Sequence, residues 1–382
     1  MDRVSEADKN KLDSAFANII FSTGVPFRFA DSPALAIFVH LARPAYTPPS
    51  AKLIAWPLLD WAHAQMENSM SAFMDNQPIV SLVSDGWTSM RNDHMVNFVA
   101  IFPLKTARPV FVKAIATDDI SQTGVNIAAE LDRAIVAIGV SKVGSVVTDD
   151  AACMKSAWKI LEQKYPGLIC NGCAAHAVNL LIKDVCKLEV FANALERARD
   201  VTSFVKDRNA LTKRFERIQE TLLADGEISS KRALSSVVAT RWYTHYNCIA
   251  RVLENRKVLA QPNTALFHDL KVTPGSRVKK AVFVDAITDA TFWSNLQSME
   301  ATLRPTCSII GKFEGDTCSA SERVWSIYDF ILTKRRNRLS PAKVTKLVQL
   351  YMNADLSSRG SLVSVMMGQE SDAGESDDET KT

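Results

Sequence analysis

The fold is decided from Ile79-Val80-Ser81-Leu82-Val83-Ser84-Asp85-Gly86 onward. The first six residues form a short run rich in β-branched side chains, which suit a pleated surface, and Asp85-Gly86 is a turn signal that stops it. Residues 95–102 alternate enough for a second strand. Residues 110–115 answer it across a short Pro-containing loop, so the two read as a hairpin. A helix follows, because Ala128, Leu131, Ile135 and Ile138 recur at helical spacing and Gly139 supplies a C-cap. Val143-Gly144-Ser145-Val146-Val147 is the next strand, ending at Thr148-Asp149-Asp150. A second helix carries Met154, Trp158 and Leu161 on one side and is stopped by Pro166-Gly167. Residues 168–170 read as a last strand and 174–188 as a third helix.

The predicted order is thus β-β-β-α-β-α-β-α. Antiparallel strands come first, and a crossover helix then returns the chain parallel to the sheet. The ribonuclease-H-like fold uses this order, and periodicity leaves other three-layer α/β folds open. Upstream, residues 1–76 read as helical, broken by a Pro-rich connector at 43–50, with a further helix over 52–74 that contains Pro57. Downstream, residues 191–310 turn helical and charged, with helices predicted at 193–221 and 240–259, and read as an all-helical insertion into the core of 77–190. A helix pair at 319–333 and 340–352 closes the folded part, within 311–355. Residues 356–382 are too polar to build a core. The fold class is therefore α/β, a mixed sheet flanked by helices.

The chain has 382 residues, 47% hydrophobic and 23% charged, which gives room for two or three domains with a sizeable core. No apolar run is long enough to span a bilayer, so no membrane role is expected. The N-terminus is too charged for a secretory h-region. Seven cysteines without framework spacing suit a reducing compartment, and the expected location is intracellular. Net charge is +3, but residues 369–382 carry six acids against one lysine, so the body is more basic than the total suggests. Such a surplus suits phosphate contact without proving it.

Five segments together resemble the hAT transposase family. They are Ser84-Asp85-Gly86-Trp87-Thr88-Ser89, Val147-Thr148-Asp149-Asp150-Ala151-Ala152-Cys153-Met154, Cys173-Ala174-Ala175-His176-Ala177-Val178-Asn179-Leu180, Thr240-Arg241-Trp242 and Ser319-Ala320-Ser321-Glu322-Arg323-Val324-Trp325-Ser326. Each string is weak alone; their order and placement across residues 15–353 carry the resemblance. It implies a ribonuclease-H-like core split by a helical insertion, DNA as partner, a nuclear location, and a homodimer through the C-terminal helices. No small-molecule substrate is expected.

The chemistry implied is cleavage at phosphorus, in which two Mg²⁺ or Mn²⁺ ions held by a few carboxylates stabilise the attacking and leaving oxygens. On the family's pattern the three acids are Asp85, Asp149 and Glu322; Asp150 stands where similar sequences often have Asn. Read without the family, Asp85 before Gly86 is a turn former, Asp149 or Asp150 is an N-cap, and Glu322 has capping-box spacing from Ser319. Cys170, Cys173 and His176 recur every third residue, close to one face if helical. They number three against the four ligands zinc takes, so zinc is not expected. The family carries the Cys173/His176 pair as a structural motif. Trp242, after Arg241, is placed to stack on an extruded base, or else packs the insertion's core. The run Lys334-Arg335-Arg336-Asn337-Arg338 suits phosphate contact or nuclear targeting, or is a solvated loop.

In the last helix Ser340 is the N-cap and Pro341 the first residue, and Val344, Leu347, Val348 and Tyr351 form a stripe for the chain's own core or for a second subunit. The chain departs from the family twice. No cysteine precedes Cys153, so the N-terminal zinc finger of full transposases is not expected, and the stretch 293–322 is short, with 304–312 joining distant parts of the pattern. Active transposition is not expected. The two functions that follow are a transposase-derived DNA-binding protein of degenerate catalysis, and a non-catalytic dimerising nucleic-acid-binding module.

Overall fold

Val80–Thr88 (β1), His94–Ile101 (β2), Val110–Ala116 (β3), Val143–Thr148 (β4) and Ile169–Gly172 (β5) form one sheet in the order β3-β2-β1-β4-β5. The first three strands pair antiparallel, and β4 and β5 run parallel to β1. The computed structural model describes residues 4–89, 92–103, 108–117, 121–238, 244–260, 274–316, 320–333 and 339–357, without the side chains of 274–276, 310–316, 322 and 357. The longer helices are α1 (Glu6–Thr23), α2 (Pro33–Ala42), α3 (Leu59–Asp75), α4 (Gly124–Ile138), α5 (Ala152–Lys164), α6 (Ala174–Val185), α7 (Glu189–Lys206), α8 (Asn209–Ala224), α9 (Thr244–Glu254), α10 (Pro274–Thr288), α11 (Ala290–Asp316), α12 (Ala320–Ile331) and α13 (Pro341–Met352). The mixed α/β class and the element order are those expected.

The chain divides into two units, Met1–Cys173 with Asp316–Thr382, and Ala174–Gly315. In the first, α4 and α5 cover one face of the sheet; Ser84, Val96 and Phe98 line a small cavity there with Asn126, Leu131 and Met154. The opposite face takes α12 over β1 and β2 and α13 over β3, with α1 and α3 packed behind α13. One apolar core joins them, with Phe21, Phe98, Phe111, Leu131 and Tyr328 among its largest fully buried members.

Several local readings change. The strand does not stop at Asp85-Gly86: Asp85, Gly86, Trp87 and Thr88 pair with Asn97, Val96, Met95 and His94. A turn dipeptide is overridden here because ladder bonds and the packing of Trp87 favour extension. The helix expected over 52–74 is interrupted at Pro57, which lacks an N–H and lies in a π-helical turn, Ile54–Leu58, before α3. In α1, Gly24 closes the helix at φ 66°, a left-handed conformation, and a Cβ there would come within 2.6 Å of Phe330.

The C-terminal stripe is internal. Val344 and Val348 are fully buried, Leu347 nearly so, in the same core as the sheet. Polar residues on α13 complete the edge strand. Between Lys113 and Phe111 the β2–β3 register slips by one, leaving Val112 without an opposite residue. Gln349 Nε2 donates to the Val112 carbonyl at 3.0 Å, and its Oε1 lies 2.7 Å from His63 Nε2. The Asn353 amide accepts from Phe111 N–H at 3.0 Å and donates to the Phe111 carbonyl at 2.8 Å. A side chain thus supplies what a further strand would, and an edge that would otherwise template aggregation is closed.

Among the described residues the regular elements of the second unit are all helices, as expected for the insertion, and residues 225–238 carry none. Phe204, Phe283, Phe292, Trp293 and Leu296 lie in its core. The helix expected over 193–221 is two, because the chain breaks at Asp207-Arg208, where Arg208 Nη1 donates to the Phe204 carbonyl at 2.9 Å. Residues 304–312, read as a junction, continue α11 straight through Pro305. Arg304 bonds Glu300 one turn earlier at 2.9 and 2.6 Å.

Candidate functional site

Asp85 sits inside β1 with Asn97 directly opposite on β2. Its backbone N–H donates to Asn97 Oδ1 at 3.2 Å, and its Oδ2 accepts from the indole Nε1 of Trp325 at 3.1 Å. Asn97 is 0% exposed and uses its other side-chain atom as well, donating from Nδ2 to the Ser321 carbonyl at 2.8 Å. Trp325 in turn stacks on Trp87, ring centroids 5.2 Å apart and 15° from parallel. The first turn of α12, which carries Glu322 between Ser321 and Trp325, is therefore fastened at two points beside Asp85. The side chain of Glu322 lies outside the described residues.

Asp149 follows directly after β4. The parallel register pairs Ser81 with Ser145 and Val83 with Val147, and two residues further along each chain stand Asp85 and Asp149. The Ser81 and Ser145 hydroxyls hydrogen-bond to each other, so odd-numbered positions of both strands share a face. Neighbouring strands lie about 4.8 Å apart. Asp85 and Asp149 thus stand two residues beyond the Val83–Val147 pair, toward the same end of the sheet.

Asp149 is not the N-cap of α5. That position is Ala151, whose N–H donates to Asp149 Oδ1 at 3.1 Å, so the aspartate ties the turn from just outside the helix. Asp150 is exposed and turned elsewhere: it pairs with Lys155 at 3.4 Å and lies over Gly172, where a Cβ would come within 2.9 Å of its Oδ1. Of the two adjacent aspartates, Asp149 is the one beside Asp85 in the strand register.

As ligands, carboxylates suit a hard divalent cation such as Mg²⁺ or Mn²⁺ in donor type. Among the described residues no group of three or more His, Cys, Asp or Glu side chains is arranged to hold a metal ion. The described residues supply the Asp85 and Asp149 positions of the site, and Glu322 contributes only its place on α12.

The Cys/His triplet does not form one helical face. Cys170 is in β5, Cys173 follows it and donates its N–H to the Thr148 carbonyl at 2.7 Å, and only His176 is on α6. Burial, reinforced by Glu162, pushes the Cys170 thiol up to about 11. Cys173 closes the first unit and His176 belongs to the second. Arg241 and Trp242, and the run Lys334, Arg335, Arg336, Asn337 and Arg338, lie outside the described residues.

Asn97 and the Trp87–Trp325 pair were not singled out from sequence. A signal for Asn97 existed: it is a polar residue within an otherwise apolar strand, where asparagine is depleted. Both tryptophans fall inside motif strings, but their meeting depends on a contact across more than two hundred residues of sequence.

Among the described residues no helix is long and apolar enough to cross a membrane. Comparison with curated proteins gives no match. Residues 49–201 match the family model of a domain of unknown function, DUF659, and residues 172–280 match the model of the ZBED1 RNase-like helical domain. The second match starts within two residues of the boundary at Ala174 where the helical unit begins. Together the matches are consistent with a transposase-derived protein of the hAT and ZBED kind.

Proposed function

We propose that this chain is a transposase-derived DNA-binding protein in which Asp85, Asp149 and Glu322 are the remnant of a metal-dependent DNA-cleaving centre. The observation that supports the reading is the parallel β1–β4 register, which leads two residues on to Asp85 and Asp149, together with the Asn97 amide that joins Asp85 to the Ser321 carbonyl. Mg²⁺ or Mn²⁺ held there would supply Lewis-acid stabilisation to oxygens displaced at phosphorus. The chain's own residues do the rest. Asp85 is oriented by the Trp325 indole and Asp149 by the Ala151 N–H. The basic residues at 334–338 and the Arg241-Trp242 step are the proposed DNA contacts, through phosphates and through stacking on a base. A nuclear location goes with this reading, since DNA is the proposed partner. Assembly through the C-terminal helices would use surfaces other than Val344, Leu347 and Val348, which lie in the core.

A second reading, a non-catalytic DNA-binding module, is favoured by the fact that Asp85 and Asp149 each already serve a protein donor. One experiment separates the two. The full chain is tested for Mn²⁺-dependent nicking of supercoiled DNA and for DNA affinity across a salt series. Nicking that disappears in Asp85→Ala and in Asp149→Asn supports a working centre. Salt-sensitive binding that survives Asp149→Asn without any nicking supports the module. Binding with no salt dependence contradicts both, because phosphate contacts release counterions.

A further inference from the structure

We infer that Asn97 is the positioning residue of the acid site, the group that fixes the separation between the strand of Asp85 and the helix turn of Glu322. The inference rests on the acid-site reading above and adds a residue that no motif supplies. Asn97 is wholly buried, and its two side-chain polar atoms face opposite ways. Oδ1 accepts from the backbone N–H of Asp85 at 3.2 Å, and Nδ2 donates to the carbonyl of Ser321 at 2.8 Å.

The bond to Asp85 is unusual for its place. Within an antiparallel pair, backbone groups bond to backbone groups across the ladder. Here a β2 side chain takes the N–H of a β1 residue, so the amide plane is fixed relative to Asp85 itself rather than to the sheet in general. The bond to Ser321 is equally specific. The Ser321 carbonyl belongs to the first turn of α12, and the next residue is Glu322. A single planar amide thus spans from the main chain of one acid to the main chain adjoining another. Neither a hydrophobic isostere nor an aspartate can do this, the first for want of both bonds and the second for want of the donor.

Trp325 gives the turn its second point of attachment. Its indole N–H meets the Asp85 carboxylate at 3.1 Å and its ring lies on Trp87. Helix α12 rotated or lifted about either point alone would change where Glu322 begins; held at both, it cannot. A displacement of about 1 Å in such a constellation is enough to cost a hundredfold in rate, so a rigid spacer is what a site drawing acids from three separate chain segments requires.

The test uses the full chain as wild type, Asn97→Leu and Trp325→Phe, with two readouts. Hydrogen exchange of the α12 backbone reports the attachment: Asn97→Leu should lower protection of α12 at least tenfold while β4 and β5 keep theirs. Mn²⁺ affinity, read by electron paramagnetic resonance of free Mn²⁺, reports the site. It should weaken at least tenfold in Asn97→Leu and less in Trp325→Phe, which keeps the ring stack, with Asp85→Asn as the reference for a lost ligand. Unchanged exchange in α12 overturns the inference whatever the metal does. Loosened exchange with unchanged Mn²⁺ affinity overturns it too, since Asn97 would then be structural only. A wild type that binds no Mn²⁺ while α12 loosens as expected overturns the acid-site reading and, with it, the role given to Asn97. Global loss of protection in Asn97→Leu shifts the decision to Asn97→Ser, to which the same outcomes apply.

Discussion

Replacing Asn353 by leucine removes the amide that closes the β3 edge while keeping side-chain size. Phe111 is fully buried, and both its N–H and its C=O are satisfied by this one side chain. A neutral hydrogen bond contributes about 1 kcal/mol net, and a buried backbone group left unpaired costs about 1–3 kcal/mol. Two such groups, partly relieved by the apolar contacts leucine makes at a site only 3% exposed, give an expected loss of about 2–4 kcal/mol. In urea, with a slope of about 3 kcal/mol/M, the midpoint should fall by about 1 M. Tryptophan fluorescence is a suitable probe, because Trp87 and Trp325 lie in the same unit. Asp355→Ala is the matched control: its carboxylate pairs with Arg108 on the surface, both exposed, where ion pairs contribute little. A midpoint in Asn353→Leu within about 0.2 M of the control would refute the argument that α13 completes the sheet edge.

Further tests address other parts of the account. Leu347→Ala should destabilise by about 2–5 kcal/mol, because the side chain is in the core. Phe38→Ser, at a position 67% exposed on α2, should stay within about 0.5 kcal/mol, both by urea titration. The pKa of His245 is lowered by burial and then by Arg199 and Lys183. The unfolded chain then binds the extra proton first, so stability is full above the ordinary histidine range and falls as pH drops through it toward the lower folded value. His245→Gln should flatten that slope in thermal melts taken across acidic buffers. Cys170 alkylation in the native chain should keep rising with pH toward about 11; a plateau near neutrality would show a thiolate that burial does not allow.

The mixed α/β class and element order are legible because they rest on local signals. Ala128, Leu131, Ile135 and Ile138 report a helix face, and all four are buried. Gly139 ends that helix with positive φ, as its place predicts. What was misread lies where a distant partner outweighs a local preference. Asp85-Gly86 has turn chemistry, yet the strand continues to Thr88 because β2 pairs with it and Trp87 packs on Trp325. Asp149 was weighed as an N-cap, a role that local spacing supports, but Ala151 holds that position. Cys170, Cys173 and His176 have a regular period in sequence that means nothing across a strand, a turn and a helix. The acids themselves were found by resemblance. Asn97 stands out in sequence only as a polar residue in an apolar run; that it bonds both Asp85 and Ser321 depends on partners distant along the chain.

On the proposed reading, β1, β4 and the first turn of α12 deliver Asp85, Asp149 and Glu322 to a single cation pocket. Fe²⁺ in place of Mg²⁺, with ascorbate and peroxide, generates radicals that cut the main chain near the bound ion, and the fragments can be read by mass spectrometry. The account predicts cuts beside Asp85, Asp149 and Glu322 together, suppressed by excess Mg²⁺ and absent in Asp85→Asn. Cuts beside Asp85 without any at Asp149, or cuts that Asp85→Asn leaves intact, would contradict it.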